Sequence, residues 1–385
     1  MNIKLFNKIS NIGLDQFDKS KYQIGEDLEN YDGVLVRSAK LHDIEFSKDV
    51  KAIARAGAGY NNIPIEKCSA EGIVVFNTPG ANANGVKELA IAALLLASRD
   101  IVSGVNWASS LKGEADVPKL VEKGKSQFAG PELKGKTLGV LGLGATGGRV
   151  ANAAYGLDMK VVGYDPYITV NAAWGLSRAV QKANSYDEVF AQADYIAIHA
   201  LLTDETRNLI NKDSIAKMKD GVRIVNLSRA ELVNNDDIKA ALESGKVATY
   251  VTDFPTEDLL NVKNIVTIPH LAASTPEAEE NCAQMAATQL IEFLEEGNIV
   301  NSVNYPNIHQ PRNGKYRIVI LHKNVPTMLA QISTVLSSDK VNIDSMINRS
   351  RDNYAVSIFD TDDKVSDKVI EDITKINDVI RVISI

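Results

Sequence analysis

Residues 137–147 read Thr137-Leu-Gly-Val-Leu-Gly142-Leu-Gly144-Ala-Thr-Gly147, and residues 159–165 read Met159-Lys-Val-Val-Gly-Tyr-Asp165. This pattern predicts a strand, a glycine-rich turn, a helix and a second strand that ends in an acid. In such a turn the first glycine permits the sharp bend, the second lets a pyrophosphate approach the backbone, and the third lets the helix pack on the strand. The free N–H groups at the start of the helix attract phosphate charge. The stretch therefore predicts a dinucleotide-binding unit.

The acid at the end of the second strand indicates which dinucleotide is bound. Asp165 lies 18 residues beyond Gly147, close to the roughly 20 residues expected for an acid that accepts hydrogen bonds from ribose hydroxyls. A phosphate on that ribose would be repelled by the carboxylate, and the following Pro166-Tyr167 supplies no arginine to bind it. We therefore expect NAD rather than NADP. The glycines alone are a weak indication, because a glycine-rich turn can be purely structural.

Composition indicates a globular protein. The 385 residues are 45% hydrophobic and 24% charged, which fits two or three domains, and the net charge of −7 disfavours nucleic acid and anionic membranes as partners. The longest apolar stretch, Leu89 to Ala97, is too short to span a bilayer, and the first residues lack a signal-peptide pattern, so we expect a cytoplasmic protein. Cys68 and Cys282 lie far apart, which predicts two buried thiols rather than a disulfide or a metal site.

Short apolar runs alternate with helix-length segments over the first three quarters of the chain, which predicts parallel sheets covered by helices. The predicted fold class is α/β, with a Rossmann-type cofactor domain inserted in a flavodoxin-like substrate domain. The substrate domain is split between residues 1–98 and 276–306, and the cofactor domain takes residues 99–275. The cleft between the two domains is the expected site.

The last part of the chain has a different character. Residues 307–314 are predicted as a linker, and residues 315–385 as a small domain in which strands and helices follow the order βαββαβ. That order is the ferredoxin-like α+β pattern. The unit is small for a catalytic domain, so we expect a regulatory or assembly role.

Several short motifs along the chain together resemble one family, the D-isomer-specific 2-hydroxyacid dehydrogenases, and within it the branch that oxidises 3-phosphoglycerate and carries a C-terminal ACT domain. The motifs are Val36-Arg37-Ser38, Arg55-Ala-Gly57-Ala58-Gly59, Phe76-Asn77-Thr78-Pro79, Glu88-Leu89, the glycine turn, Val225-Asn226-Leu-Ser-Arg229, Phe254-Pro-Thr-Glu257 and Pro269-His270-Leu-Ala-Ala-Ser274-Thr275. A series of matches in this order is far more specific than any one of them.

Three side chains match the chemistry that such a family performs. Oxidation of a 2-hydroxy acid needs a base for the hydroxyl proton and a cation for the carboxylate. His270 is the candidate base, because an imidazole titrates near pH 6.5, and Glu257 is expected to hydrogen-bond its far nitrogen. Arg229 offers a planar fork for the carboxylate. Taken singly, each has an ordinary explanation as a loop donor, a solvated acid or a capping residue.

Two arginines of the first domain indicate the substrate class. Arg37 and Arg55 each follow a predicted strand, and Ser38, Gly57 and Ala58 supply hydroxyl or backbone donors, so together they are expected to bind a phosphate. The resemblance then implies NAD-dependent oxidation of 3-phospho-D-glycerate to 3-phosphohydroxypyruvate, the first step of L-serine biosynthesis. One of the two arginines can instead be structural.

The resemblance also implies an effector site. His322, Asn324 and Asn342 are similar to the residues with which ACT domains bind serine between two subunits, so L-serine is an expected inhibitor. ACT domains also occur as inert dimerisation modules, and Thr327 stands where a glycine is common. The apolar segment Ile101 to Trp107 is the expected contact between cofactor domains, which predicts a homodimer or homotetramer.

The resemblance further implies a set of cofactor contacts, which are Gly142, Gly144, Ala145, Thr146, Gly147, Asp165, Thr206, Ser228 and Asp253. Some positions depart from the family pattern. Ala145-Thr146 replaces a common Arg-Ile beside the pyrophosphate, which removes a cation. Thr252-Asp253 stands where Asp-Val is common, so either residue is a candidate for the nicotinamide carboxamide.

Two other functions fit parts of this pattern. A glyoxylate, hydroxypyruvate or D-lactate dehydrogenase of the same family would share His270, Glu257 and Arg229 but would not need the two arginines or the C-terminal domain. A non-catalytic NAD-sensing scaffold that resembles the C-terminal-binding corepressors would keep the fold and the nucleotide. The complete set of three side chains favours an enzyme over a scaffold.

Overall fold

The computed structural model describes residues 1–385. Its packing divides the chain into two units, one formed by Met1–Asn82 with Pro276–Ile385 and the other by Ala83–Thr275. The predicted division lies sixteen residues later, after residue 98, which would place the helix Ala83–Ser98 in the first domain. In the structure this helix packs against strands of the second unit.

The first unit begins with a parallel sheet. Its elements are β1 (Asn2–Phe6), α1 (Asn11–Leu14), β2 (Gln23–Gly25), β3 (Gly33–Val36), β4 (Ala52–Arg55), α2 (Ile65–Ala70) and β5 (Val74–Phe76). The strand order β2-β1-β3-β4-β5 is that of a flavodoxin-like sheet. The sequence pattern did not reveal β1 and β2, because β1 mixes polar and apolar residues and β2 is a short edge strand.

The second unit contains the glycine turn. Its elements are α3 (Ala83–Ser98), α4 (Ile101–Ser110), α5 (Val117–Gly124), β6 (Thr137–Leu141), α6 (Gly147–Tyr155), β7 (Lys160–Tyr164), α7 (Val170–Trp174), β8 (Val180–Lys182), α8 (Tyr186–Gln192), β9 (Tyr195–Ile198), α9 (Lys212–Ala216), β10 (Val222–Asn226), α10 (Asn235–Glu243), β11 (Val247–Thr252) and β12 (Ile265–Thr267), with 3₁₀ turns at Lys125–Phe128, Ala230–Leu232 and Glu257–Leu259. The parallel order β12-β11-β10-β9-β6-β7-β8 reverses between β6 and β9, as in Rossmann folds. Ligands bind such sheets at that reversal, beyond the carboxyl ends of the strands.

The first unit resumes with α11 (Pro276–Glu296), the helix predicted for these residues, and a four-stranded antiparallel sheet follows. The elements of that part are β13 (Tyr316–Lys323), α12 (Met328–Ser338), β14 (Ile343–Arg351), β15 (Tyr354–Thr361), α13 (Asp367–Thr374) and β16 (Val379–Ser384). The predicted order βαββαβ is found, and the strands lie in the order β14-β15-β13-β16.

The antiparallel sheet shares a core with the parallel sheet of the first unit. Val319, Leu321 and Ile358 on one of its faces pack in the same cluster as Ile3 and Phe76. The opposite face packs against α12 and α13. The C-terminal sheet is thus joined to the rest of its unit by apolar contacts over one whole face.

A buried ion pair strengthens this connection. Arg317 Nε donates to Asp360 Oδ1 at 2.6 Å, and Arg317 Nη1 donates to the carbonyl oxygens of Glu296 and Gln310. Burial raises the pKa of Asp360, but hydrogen bonds from Arg317, Gln310 and Asn313 outweigh it and hold the pKa at about 2. The segment predicted as a linker therefore includes Gln310 as a buried, hydrogen-bonded residue rather than forming only a flexible spacer.

Two smaller predictions concern thiols and membranes. Both Cys68 and Cys282 are buried free thiols, as predicted. None of the helices combines the length and the apolar character needed to cross a bilayer.

Candidate active site

The glycine turn between β6 and α6 has the shape that a dinucleotide requires. Gly142 has φ 90°, a left-handed conformation that favours glycine, and its N–H donates to the Tyr164 carbonyl at 2.8 Å. A Cβ at Gly147 would collide with the carbonyl oxygen of Gly142, so the third glycine allows the helix to approach the strand. Gly144 faces open space, with no atom within 4 Å of a Cβ built on it. The backbone at Gly144 is therefore open to a phosphate.

Two further features fit a bound dinucleotide. No side chain caps the N-terminus of α6 at Thr146. The Gly148 N–H donates to the Gly144 carbonyl at 3.0 Å, so this helix end offers an anion its dipole and its remaining N–H groups. His199, just after β9, is partly buried, and its Nε2 atom is buried without a hydrogen-bond partner. Burial lowers the pKa of His199 to about 4, so the imidazole is neutral at pH 7. An unsatisfied buried polar atom next to the glycine turn is the kind of group that a ligand completes.

Asp165 lies where the ribose acid was predicted, and it also orders the turn. Its Oδ2 accepts from Leu143 N–H at 2.8 Å, and its Oδ1 accepts from Tyr167 N–H at 2.9 Å. Each carboxylate oxygen has a second lone pair for a hydroxyl donor. Sequence reasoning missed Arg149, whose Nη1 donates to the Ala145 carbonyl at 3.3 Å and brings a cation to the turn. The available signal was the separation of four residues between Ala145 and Arg149, because residues four apart lie next to each other along a helix.

The hydroxyls predicted at the cofactor site hold loops in place. Thr206 Oγ1 donates to the Leu201 carbonyl at 2.6 Å and so closes the loop that follows β9. Ser228 Oγ donates to the Ala200 carbonyl at 2.9 Å and joins the loop after β9 to the loop after β10. Both hydroxyls keep acceptor capacity after these bonds.

Arg229 follows β10, and its loop is ordered by a buried amide. Asn226 has no exposed surface; its Nδ2 donates to the Arg229 carbonyl at 2.8 Å, and its Oδ1 accepts from Ser228 N–H at 3.1 Å. The guanidinium of Arg229 is exposed, and its Nη1 donates to the Ser228 carbonyl at 2.7 Å. The backbone of this loop is thus fixed while the cationic end of the side chain is accessible.

His270 follows β12 and is exposed at the carboxyl edge of the sheet. Its φ is 53°, in the left-handed region, and its ring packs edge-on against Phe254 with centroids 5.2 Å apart. Its N–H donates to the Asp253 carbonyl at 3.2 Å, and Asp253 N–H donates to the Asn226 carbonyl at 3.1 Å. The loops of Arg229 and His270 therefore belong to one hydrogen-bonded network.

Two predicted roles differ in the structure. Asp253 was a candidate nicotinamide contact, but it is fully buried, and its carboxylate accepts from the N–H groups of Leu271 and Ala272. Thr252 is also buried, and its Oγ1 accepts from Phe254 N–H at 3.2 Å. Glu257 begins a 3₁₀ turn and is exposed, and no hydrogen bond or ion pair joins it to His270. The expected carboxylate–imidazole bond is therefore not made, because Glu257 lies on a surface turn that no buried contact directs toward the ring.

The two arginines of the first unit lie at neighbouring strand ends. Arg55 ends β4 and pairs in register with Val36, the residue before Arg37. Asn62 links them, because its Oδ1 accepts from Arg55 Nε at 2.9 Å and its Nδ2 donates to the carbonyl oxygens of Arg37 and Ala39. The structure thus brings the predicted phosphate-binding arginines to the same edge of the sheet.

We call the strand ends that carry Arg37 and Arg55 the arginine edge. Several hydrogen-bond donors at this edge already have partners in the protein. Arg37 Nη2 forms an exposed ion pair with Glu279 Oε1 at 2.5 Å. The Ser38 N–H donates to Asn7 Oδ1 at 3.0 Å, and the Gly57 N–H donates to the Arg55 carbonyl at 2.9 Å. These two backbone N–H groups therefore already have acceptors within the protein.

Gly57 and Ala58 have other functions in this turn. A Cβ at Gly57 would collide with the guanidinium of Arg55, so glycine makes room for that side chain. The Ala58 carbonyl accepts from Asn77 Nδ2 at 2.6 Å. Both residues shape the turn around Arg55.

The predicted effector residues do not form one open site. His322 is buried in β13; its Nδ1 contacts the Lys323 carbonyl at 2.7 Å, and its Nε2 contacts Ser357 Oγ at 3.0 Å. Asn324 and Asn342 are exposed and lie on separate turns. His322 was predicted as a ligand contact, but the carbonyl of Lys323 and the hydroxyl of Ser357 on the neighbouring strand β15 occupy both of its ring nitrogens.

Comparison with known proteins shows the family. The family model described as "D-isomer specific 2-hydroxyacid dehydrogenase, NAD binding domain" matches residues 91–272. A hydroxypyruvate reductase from Thermotoga maritima is 39% identical over 260 residues, which cover 64% of this chain and 80% of that protein. This chain belongs to the D-isomer specific 2-hydroxyacid dehydrogenase family. The matched family domain binds NAD, so the predicted cofactor is confirmed.

Other members of the 2-hydroxyacid dehydrogenase family are longer than this chain. A D-3-phosphoglycerate dehydrogenase from Archaeoglobus fulgidus is 36% identical over 302 residues, which are 75% of this chain and 54% of that protein. The chain therefore spans about half the length of the curated phosphoglycerate dehydrogenases that it matches. Among solved structures, the NAD⁺-bound 3-phosphoglycerate dehydrogenase of Entamoeba histolytica has a TM-score of 0.60 at 29% identity and covers 79% of this chain and 98% of that one.

Proposed function

We propose that this protein oxidises 3-phospho-D-glycerate to 3-phosphohydroxypyruvate with NAD, the first step of L-serine biosynthesis. The observation that carries the proposal is the hydrogen-bonded network that holds the loops of Arg229 and His270 side by side at the carboxyl edge of the NAD-binding sheet. Similarity to phosphoglycerate dehydrogenases supports the choice of substrate.

Arg229, His270 and Glu257 have separate roles in the proposed reaction. The guanidinium of Arg229 binds the substrate carboxylate through paired N–H donors and fixes the orientation of the carbon that reacts. His270 takes the hydroxyl proton through a ring nitrogen, and the imidazolium that forms is stabilised when Glu257 moves within hydrogen-bond distance. Catalytic hydrogen bonds are often long before substrate binds, so the exposed position of Glu257 is compatible with this role. NAD, when bound, accepts the hydride from the same carbon.

The arginine edge of the first unit supports a phosphorylated substrate. Arg37 and Arg55 follow adjacent strands and share Asn62 as a partner. A phosphate that carries two negative charges would compete with Glu279 for Arg37, because it offers a bidentate acceptor of higher charge. A non-phosphorylated acid such as D-lactate gains nothing from these arginines.

A spectrophotometric assay tests the proposal. NADH formation is followed at 340 nm with 3-phosphoglycerate, D-lactate, D-glycerate and 2-hydroxyglutarate, each with NAD and with NADP. We expect the highest kcat/KM for 3-phosphoglycerate with NAD. The hydroxypyruvate reductase relative makes D-glycerate the informative competitor. A higher kcat/KM for D-glycerate or D-lactate would reject the proposed substrate, and no turnover of any acid would favour a non-catalytic NAD-binding protein.

We also propose that the C-terminal sheet is an ACT-like regulatory module that binds L-serine. Its βαββαβ order and strand arrangement support the ACT-like fold, and Thr327 adopts a left-handed φ of 69° where ACT domains commonly have glycine. The exposed Asn324 and Asn342 are available to an effector, whereas His322 is not. Isothermal titration with L-serine tests this: no heat, together with unchanged turnover at millimolar serine, would leave the module a structural one.

The proposed assembly is a homodimer or homotetramer. Ile101, Val102 and Val105 on α4 are between 39% and 59% exposed, and a cluster of exposed apolar side chains on one helix favours contact with a second copy. Light scattering after size exclusion measures the mass. The variant Val105→Lys should yield a smaller species, and a monomeric wild-type protein would refute the proposal.

A further inference from the structure

Asp253 is a buried acid that no water reaches. It follows β11 directly and has no exposed surface. A buried carboxylate requires hydrogen-bond donors inside the protein. Oδ1 accepts from Leu271 N–H at 2.8 Å, and Oδ2 accepts from Ala272 N–H at 2.9 Å. The carbonyl oxygen of Asp253 accepts at 3.2 Å from the His270 N–H, which also donates to the Ile268 carbonyl at 3.0 Å. Three consecutive N–H groups of the loop that carries His270 thus bind one residue.

The backbone of His270 needs such support. Its φ of 53° lies in the left-handed region, which non-glycine residues seldom adopt. A conformation of this kind persists only where the surrounding structure holds it. Successive N–H groups directed at one anion form a concave binding site, and here the anion belongs to the protein itself. The direction of the Cα–Cβ bond of His270 therefore depends on the carboxylate of Asp253.

We infer that Asp253 is a positioning residue for His270: it touches neither substrate nor cofactor, and it acts by fixing the loop that directs the imidazole. The inference rests on the proposed role of His270 in proton transfer. The Asp253 N–H also donates to the carbonyl of Asn226, the residue that holds the Arg229 loop. Asp253 therefore keeps the base and the carboxylate-binding arginine in register with each other.

The variant Asp253→Asn tests this inference. Asparagine has the same size, but its NH₂ group would face a backbone N–H, so one of the two carboxylate bonds is lost. Asp253→Ser, which keeps one acceptor on a smaller side chain, provides a second test that does not depend on how Asn fits.

Asp194→Asn is the matched control. Asp194 is a carboxylate of the same unit, and it accepts from Thr137 N–H at 2.8 Å and from Lys219 Nζ at 3.0 Å. It lies at the amino end of the same sheet, next to the start of β9, whereas His270 lies at the carboxyl edge. Because asparagine keeps a single acceptor oxygen, Asp194→Asn loses one of the two carboxylate contacts, as Asp253→Asn does, without touching the His270 loop.

Three measurements distinguish positioning from a general loss of stability. In Asp253→Asn and Asp253→Ser, amide hydrogen exchange should accelerate at Leu271 and Ala272, and kcat with 3-phosphoglycerate should fall about 10- to 100-fold, the range caused by misplacing a catalytic group by about 1 Å. The pH profile of kcat/KM should shift, while the dissociation constant for NADH stays unchanged. In a His270→Ala background, Asp253→Asn should cause no further loss of kcat. Asp194→Asn should lower Tm, with wild-type kcat and pH profile.

Several results would overturn the inference. One is unchanged amide exchange at Leu271 and Ala272 in both Asp253 variants. Another is wild-type kcat with a wild-type pH profile in both variants. The third is a loss of kcat by Asp253→Asn that is equally large in the His270→Ala background. The exchange measurement needs no substrate. If the wild-type protein failed to oxidise 3-phosphoglycerate, the proposed function would fall, whereas the exchange rates would still decide whether Asp253 holds the loop.

Discussion

The two polar strand edges of this molecule are organised in different ways. At the edge that carries Arg229 and His270, the partners of the loops are Asn226 and Asp253, which have no exposed surface. At the edge that carries Arg37 and Arg55, Arg37 is held by Glu279 in an exposed ion pair. Buried hydrogen bonds resist water and keep a fixed geometry, whereas an exposed ion pair contributes little free energy and exchanges partners readily. The first edge thus has the fixed geometry that the proposed proton transfer needs, and the second has a cation that an incoming anion can take from its present partner.

The largest expected effect concerns the edge that carries Arg229 and His270. His270→Ala removes the proposed proton acceptor, so kcat should fall by about 10²- to 10⁴-fold, the usual contribution of a general base. The NADH dissociation constant, measured by fluorescence, should not change, because the glycine turn is untouched. The exposed His42→Ala serves as the control. Wild-type turnover in His270→Ala would refute the assigned proton transfer.

The next prediction concerns the buried imidazole beside the glycine turn. Burial lowers the pKa of His199 to about 4 in the folded protein, whereas the unfolded chain binds a proton near pH 6.5. Above pH 6.5 both states are neutral; as pH falls from 6.5 to 4, only the unfolded state gains the proton, and the folded state loses about 3 kcal/mol. Urea unfolding at several pH values measures this loss.

His199→Gln should show a shallower decline of unfolding free energy between pH 6.5 and 4 than the wild-type protein. His42→Gln, at an exposed position, is the control and should follow the wild-type curve. Parallel curves for wild type and His199→Gln would mean that this imidazole is protonated in the folded protein.

Two substitutions that each remove a side-chain amide, Asn226→Ala and Asn62→Ala, compare the two edges directly. Asn226→Ala leaves the Arg229 carbonyl and the Ser228 N–H without their partner, at a cost of about 1–3 kcal/mol of stability, and it should lower kcat. Asn62→Ala removes the hydrogen bond between Asn62 Oδ1 and Arg55 Nε instead, and it should raise KM for 3-phosphoglycerate with a smaller change in kcat. If both variants altered the same kinetic parameter, the distinction between the two edges would fail.

The smallest expected effects have opposite signs at the arginine edge. Arg37→Ala should raise KM for 3-phosphoglycerate by about tenfold, because it removes a charge-assisted contact to the phosphate. Glu279→Gln should lower the same KM by a few-fold, roughly the value of an exposed ion pair. D-glycerate, which has no phosphate, is the control substrate. Changes of KM in the same direction for both variants would show that Glu279 does not compete for Arg37.

The sequence pattern predicted most of the elements that position these edges. Strands β3 to β7, helix α11 and the C-terminal βαββαβ order follow from runs of apolar residues and their spacing. The pattern failed at β1, β2 and β8, which are short or mix polar with apolar residues, so they carry little periodic signal. Asn226 was visible only as part of a motif, although a polar residue at the end of an apolar strand was a usable signal of a buried hydrogen bond.

Partner choice among distant residues could not be predicted. Asp253 was a candidate cofactor contact, and His322 a candidate effector contact, because both lie at strand ends in motifs that resemble known sites. In the structure the first binds two backbone N–H groups some eighteen residues later along the chain, and the second binds Ser357 on a neighbouring strand. Each outcome depends on which segments become neighbours in the sheet.

By itself, the sequence determined the NAD-binding unit and the family. The glycine turn depends on steric limits within one short segment. Gly142 adopts a left-handed φ, and Gly147 lies against the carbonyl of Gly142, so both requirements can be seen in the local sequence. Tertiary structure alone decided that Asp253 supports the His270 loop, that Glu279 holds Arg37, and that Gln310 is buried against Asp360. Hydrogen bonds and ion pairs form between whichever groups folding brings within about 3 Å, and that proximity is a property of the assembled sheets rather than of any one segment.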